Sequence, residues 1–298
     1  MDTSFLCKLC PRECNVDRGL DKTGFCKVPN HIKVARAALH FWEEPCISGD
    51  EGSGTVFFSG CNLRCVYCQN RKIAEGVYGK NITVDRLAAI FLELQDKGAN
   101  NINLVTPSHY VLQIIKALEM AKEQGLTLPV VYNSSAYEKV ETLKLLEGYV
   151  DVYLPDFKYM DRRLSGKYSK AEDYSVVAKR AIFEMVRQVG APCFDDRGIL
   201  QKGVIVRHLV LPGYTQDSKK IIKYLYDTYG NGIFISILSQ FTPLSYLSEY
   251  PELNRKITEE EYEDVVEYAI EIGVDNGFIQ EGDVAEESFI PDFEGQGV

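Results

Sequence analysis

Apolar positions along the chain follow two rhythms. Leu87, Ile90, Phe91 and Leu94 recur at i, i+3, i+4 and i+7, the spacing that gathers side chains on one face of an α-helix. Thr83 precedes them as an N-cap and Gly98 follows as a stop. Val111, Ile114, Ile115 and Leu118 repeat the pattern, which ends near Gly125. Leu143 and Leu146 mark a shorter helix before Gly148. Val177, Ala178, Ile182, Met185, Val186 and Val189 predict a longer one closed by Gly190, and Ile221, Ile222 and Leu225 another. Between these lie short apolar, β-rich runs at 55–58, 101–105, 129–132, 150–154, 203–211 and 232–238.

Six strands alternating with helices predict a parallel sheet with right-handed crossovers. The runs are apolar on both faces, as strands covered on both sides must be. No G-x-G-x-x-G follows the first strand, so a dinucleotide-binding sheet is disfavoured. The expected fold is α/β, an incompletely closed six-stranded barrel. Residues 1–50 are expected as a Cys-rich N-terminal extension, with a short strand at 31–39 and a loop at 43–54. Residues 51–250 form the core, and residues 251–298 a C-terminal helix and tail. That helix carries a capping box at Thr258 and Glu261 and apolar positions at Val265, Val266, Ala269 and Ile272. An acidic tail follows from Glu281.

Composition narrows the function. The 298 residues are 45% hydrophobic and 26% charged, an ordinary globular balance, with a formal charge of −10. An acidic chain is a poor non-specific nucleic-acid binder. No apolar run approaches the ~20 residues that span a bilayer, and charges interrupt the first twenty residues, so a cytoplasmic protein is expected.

Nine cysteines are the unusual count. Cys7, Cys10, Cys14 and Cys26 lie in the first 26 residues as C-x2-C-x3-C-x11-C, and Cys61, Cys65 and Cys68 as C-x3-C-x2-C directly after the first core strand. Such clusters in the cytosol point to metal. Four thiolates complete a zinc site or a closed iron–sulfur cluster equally well. Three thiolates ligate three irons of a four-iron, four-sulfur cluster and leave the fourth iron open. A structural zinc site would need a fourth ligand, which is not nearby in sequence. Cys46 and Cys193 are expected as plain buried thiols.

Residues 60–70, with Tyr67 just before the third cysteine, resemble the signature loop of the radical S-adenosylmethionine (radical SAM) superfamily. Residues 45–243 resemble the activating enzymes of pyruvate formate-lyase and their relatives. Within these, Gly52 to Cys61 and Cys68-Gln69-Asn70 look like the PflX-type group. The resemblance implies a partial (βα)6 TIM-type barrel, a 4Fe-4S cluster on Cys61, Cys65 and Cys68, and S-adenosylmethionine at the C-terminal strand ends. It also implies reductive cleavage of the cofactor to a 5′-deoxyadenosyl radical, fed by a low-potential flavodoxin- or ferredoxin-type donor. The hydrogen donor would be a glycine of a partner enzyme, which becomes a glycyl radical. Alternatives are another peptide, a small molecule, or a non-catalytic iron–sulfur electron carrier.

Several rim residues match the family's cofactor contacts. Asp156 and Lys158 match a D-x-K motif, although a surface ion pair is the other reading. Arg207 sits five residues before Pro212-Gly213 as the family's arginine does, and a buried guanidinium needs a partner. Asn133 replaces an acidic residue and Ser134 keeps a hydroxyl, with simple capping as the alternative. The G-G-E-P motif is absent, and Thr106 stands in its place. Gln240 occupies the position of a family histidine. His208 is expected as a satisfied core histidine.

Overall fold

In a computed structural model, which describes residues 6–280, 293 and 295–298, the predicted strands form one continuous sheet. β1 (Ile32–His40) leads through the turn α1 (Pro45–Ser48) into β2 (Ser53–Phe58). After the cysteine loop come α2 (Arg71–Ala74), β3 (Lys80–Ile82) and α3 (Val84–Asp96), then β4 (Ile102–Val105) and α4 (Val111–Glu123). β5 (Val130–Ser134), α5 (Val140–Lys144) and β6 (Val152–Pro155) follow, with α6 (Arg162–Ser169) and α7 (Tyr174–Val189) behind them. β7 (Cys193–Phe194), β8 (Leu200–Leu209), α8 (Thr215–Tyr229) and β9 (Phe234–Leu238) continue the alternation, and α9 (Glu259–Glu271) and β10 (Gly277–Ile279) close it.

The strand order is β10-β9-β8-β6-β5-β4-β2-β1-β3. The six predicted strands are β2, β4, β5, β6, β8 and β9, paired in parallel in chain order. The path has two ends rather than closing on itself, so the fold is a partial (βα)6 TIM-type barrel. Every residue of β2, β5 and β6 is buried, which explains runs with no polar face. The helices cover the outside through their apolar stripes. On α3 the buried positions are Leu87, Ala88, Ile90, Phe91 and Leu94, and the Thr83 hydroxyl accepts the Arg86 N–H at the N-terminus. The capping box at Thr258 and Glu261 is formed at the start of α9.

Some elements depart from the sequence pattern. β10 adds a parallel strand on β9, so the C-terminal part is more than a helix. α6 is polar along most of its length and is capped by the Asp161 side chain, which accepts the Arg163 N–H. Cys193 is exposed, not buried, because β7 is a two-residue strand hung on the edge of β8; Cys46 is buried. The stretch expected as an acidic tail lies largely outside the described residues. Of the N-terminal stretch, β1 pairs antiparallel with β2 in the main sheet. Residues preceding it are pinned by Arg18, which is 1% exposed and donates to the carbonyls of His109 (2.6 Å) and Pro29 (2.5 Å). Among the described residues no helix is long and apolar enough to cross a membrane.

Candidate cofactor site at the strand ends

β2 delivers the chain to the three-cysteine loop through Gly60. Its φ is +89°, and a Cβ there would stand 2.6 Å from the Cys26 carbonyl oxygen, so only glycine fits. The loop then wraps its own sulfur: the N–H groups of Leu63 and Arg64 both donate to Cys61 Sγ at 3.3 Å. Ser169 Oγ donates to Cys65 Sγ at 3.0 Å, and the Val66 N–H reaches the Tyr168 carbonyl at 2.8 Å. Hydrogen bonds of this kind favour a charged sulfur and tune any iron bound to it. Gln69 Nε2 donates to the Gln240 carbonyl at 2.8 Å, tying the loop to the chain beyond β9.

Cys61, Cys65 and Cys68 border one cavity of about 410 Å³. Tyr67, Thr106, Asn133, Ser134, Asp156, Lys158, Arg207 and Gln240 border it too. Residues drawn from the ends of β4, β5, β6, β8 and β9 therefore meet at one cavity. Cys7, Cys10, Cys14 and Cys26 do not border it.

An ion network forms one wall. Arg207 Nε donates to Asp156 Oδ1 at 2.8 Å, and Lys158 Nζ donates to Asp156 Oδ2 at 2.8 Å. Arg207 Nη2 donates to Asn133 Oδ1 at 2.7 Å. Burial alone would raise the Asp156 pKa, but Arg207 and Lys158 outweigh it and hold the carboxyl below its usual range. Burial would likewise lower the Lys158 pKa, but Asp156 and the sulfur of Cys65 reverse the sign. Asp156 and Lys158 are thus paired, as the surface reading had it, but the pair lines the cavity and its side chains are only 22% and 17% exposed. The Lys158 ammonium lies within electrostatic reach of the cysteines. Burial pushes the Cys68 thiol up to about 12 and raises that of Cys61, and Lys158 opposes the shift in both. Iron would supply the remaining positive charge that thiolates there require.

The sequence reading missed Glu43. Its Oε2 lies 2.9 Å from Arg207 Nη1, and Oε1 accepts from Asn103 Nδ2 at 3.1 Å and Asn133 Nδ2 at 3.4 Å. A carboxylate thus does reach the Asn133 position, brought by the β1–α1 loop instead of by β5. The neighbouring Glu44 also borders the cavity; it is 7% exposed, and its Oε2 has no hydrogen-bond partner among the described residues. Burial raises its pKa and Glu43 adds to the rise, partly offset by Arg207. The signal available in the sequence was two adjacent carboxylates, Glu43-Glu44, in a loop before an apolar strand.

The other predicted residues take distinct positions. Tyr67 is buried beside Tyr159, Tyr168 and Phe241, with ring centroids 5.8–6.5 Å apart, and fixes the third-cysteine end of the loop. Thr106 has φ +58°, which is unusual for a β-branched residue and is the backbone state that glycine adopts freely. The strained threonine is held by its own N–H, which donates to the Asn133 carbonyl at 2.9 Å. The Ser134 hydroxyl accepts the Ala136 N–H at 3.2 Å, the capping role weighed from sequence, and still borders the cavity. His208 is a core histidine: Nδ1–H donates to the Phe157 carbonyl at 2.7 Å and Nε2 accepts from the Ser218 hydroxyl at 2.8 Å.

Comparison with known proteins places the chain in a family. The profile of the Radical SAM superfamily matches residues 55–225. An uncharacterized protein of Methanocaldococcus jannaschii is 31% identical over 279 residues, which is 90% of this chain and 75% of that protein. The pyruvate formate-lyase-activating enzyme of Clostridium pasteurianum is 27% identical over 180 residues, 57% of this chain and 66% of that enzyme. Among solved structures, Streptococcus suis SuiB bound to its precursor peptide SuiA superposes with a TM-score of 0.50 at 15% identity, covering 75% of this chain and 47% of SuiB. The FeFe-hydrogenase maturase HydG from Carboxydothermus hydrogenoformans gives 0.50 at 13% identity, covering 79% and 55%. The chain spans about half the length of these two structures, and at such identities the likeness is one of fold.

Proposed function

Because the chain belongs to the Radical SAM superfamily, we propose that it binds a 4Fe-4S cluster through Cys61, Cys65 and Cys68 and uses it to cleave S-adenosylmethionine reductively. The donor set fits the group. Three thiols border one cavity with two of them in hydrogen bonds from N–H or O–H donors, one ligand short of a closed four-iron cluster. When bound, the cluster supplies an open iron for the amino and carboxylate groups of S-adenosylmethionine and the electron that releases methionine and a 5′-deoxyadenosyl radical.

The protein's own residues orient and insulate. Asp156 and Glu43 place carboxylates on the cavity wall where a cofactor with a net positive charge binds, each paired with Arg207, and Arg207 and Lys158 keep the Asp156 carboxyl ionised. Thr106, Asn133 and Ser134 offer hydrogen bonds from the β4 and β5 ends. Tyr67 and its aromatic neighbours exclude water beneath the loop.

The hydrogen donor is a peptide segment, and by likeness to the pyruvate formate-lyase-activating enzyme a glycine of a partner protein. The shape of the site supports a substrate offered from outside. A cavity of about 410 Å³ is near the low end for ligand pockets, roughly 300–1,000 Å³. Its border includes Trp42 and Ile279, which are 68% and 51% exposed. Electrons come from a low-potential flavodoxin- or ferredoxin-type donor. Electron paramagnetic resonance of the anaerobically reconstituted, reduced protein tests the reading: adding S-adenosylmethionine changes the cluster signal if an iron is open. A signal that the cofactor leaves unaltered overturns it.

A further inference from the structure

The N-terminal cysteines lie outside the cavity and take no part in the chemistry above. Residues 6–31 contain one short 3-10 turn (Arg18–Leu20) and one isolated bridge, Leu6 to Asp17, and no longer element. Leu9 and Val28 are buried there, but a segment with so few apolar anchors cannot hold a fixed path by packing alone. Besides Arg18, its other buried groups are sulfurs: Cys7, Cys10 and Cys26 are 8%, 9% and 7% exposed, and none of the four cysteines forms a disulfide.

The backbone gathers these sulfurs. The Cys7 N–H donates to the Val16 carbonyl at 3.0 Å, and the Asn15 N–H returns to the Cys7 carbonyl at 3.1 Å, which places Cys7 across from Asn15 and Val16, next in sequence to Cys14. A turn from Cys10 to Glu13 lies between them. The second arm closes on the first: the Phe25 N–H donates to Cys14 Sγ at 3.2 Å, and a Cβ on Gly24 would stand 2.7 Å from that sulfur. Cys26 lies within electrostatic reach of Cys7, Cys10 and Cys14, and Cys10 within reach of Cys7. The N–H to sulfur bond repeats what Leu63 and Arg64 do at Cys61.

We propose that Cys7, Cys10, Cys14 and Cys26 ligate a second 4Fe-4S cluster, closed by four thiolates and packed against the three-cysteine loop. The position of these four thiols suits a redox group rather than a structural zinc. Arg12 Nε donates to the Asn62 carbonyl at 2.9 Å, Arg64 Nη1 donates to the Phe25 carbonyl at 3.1 Å, and Gly60 abuts the Cys26 carbonyl, so the two loops touch at three points. With every iron bound by a thiolate, this cluster has no open position for S-adenosylmethionine.

The test uses the full chain, reconstituted anaerobically with ferrous iron and sulfide. Wild type takes up about eight irons and eight sulfides per chain. The triple variant Cys61→Ala, Cys65→Ala, Cys68→Ala leaves the N-terminal cysteines intact; it retains about half of the iron and, once reduced, a signal that S-adenosylmethionine does not change. The double variant Cys10→Ser, Cys26→Ser loses the other half. If the triple variant holds no iron, or retains one zinc and no labile sulfide, the assignment is overturned. Because that variant lacks the first site, its iron count does not depend on the function proposed above.

Discussion

Glu43 and Arg207, 164 residues apart in sequence, meet at 2.9 Å, and their side chains are only 9% and 15% exposed. The contact joins the β1–α1 loop to β8 across the mouth of the barrel and completes a network in which Asp156 and Glu43 balance Arg207 and Lys158. Glu43→Gln removes one negative charge at nearly constant volume. Binding of S-adenosylmethionine, whose net charge is positive, is expected to weaken about tenfold, an effect of about 1.4 kcal/mol, and the melting temperature to fall as well, because the largely buried pair with Arg207 loses its anion. Titration calorimetry on the reconstituted protein measures this, and an unchanged dissociation constant removes Glu43 from the site.

Arg207→Ala acts differently, because it strands two carboxylates that are largely out of water. Breaking a buried pair from one side costs about 3–5 kcal/mol, here at the lower end given the residual exposure of Asp156. Arg207→Lys keeps the charge but loses the planar fork that reaches Asp156, Glu43 and Asn133 together. Urea unfolding is expected to rank the three proteins wild type, then lysine, then alanine. Equal midpoints contradict the network.

Gly60→Ala forces a side chain into φ +89° and against the Cys26 carbonyl. Relief requires moving the strand end that carries Cys61 or the arm that carries Cys26. A loss of about 2–3 kcal/mol in stability is expected, together with reduced iron content at both loops. Normal iron uptake by Gly60→Ala argues that the two loops do not constrain each other.

Acid weakens the fold in a definite window. Burial holds the pKa of His208 at about 4 and that of His109 at about 3, against 6.5 for the free side chain. In both, the unfolded chain takes up a proton that the folded one refuses, so the stability they contribute is fully present above pH 6.5. It declines as the pH falls toward 4, by roughly 3 kcal/mol for His208. Asp156, also depressed, adds a loss at lower pH still. Urea midpoints measured at pH 7, 5.5 and 4.5 are expected to fall steadily. A flat profile means that the two histidines are not held neutral.

Much of this molecule was legible in local spacing. β2, β4, β5, β6, β8 and β9 stood out because strands covered on both faces read as unbroken apolar runs, and α3 and α9 because cap and stripe coincide. Cys61, Cys65 and Cys68 were visible because one loop carries all three. Asp156, Lys158 and Arg207 were found at strand ends, where a barrel gathers them. Glu43 was not, since its role depends on a contact 164 residues away that no local pattern encodes. Arg18 was missed for the same reason: its partners are the carbonyls of Pro29 and His109, which leave no side-chain signature. Cys193 was misplaced because a cysteine's burial depends on its strand, and β7 is too short to bury either of its residues. β10 is three residues long and pairs only because α9 returns the chain beside β9.

The most direct measurement is product formation. Anaerobically reconstituted wild type, reduced and supplied with S-adenosylmethionine, is expected to yield 5′-deoxyadenosine and methionine, and Cys65→Ala is expected to yield neither while remaining folded. Failure of the iron-loaded wild type to form 5′-deoxyadenosine, or equal formation by Cys65→Ala, contradicts the proposed chemistry.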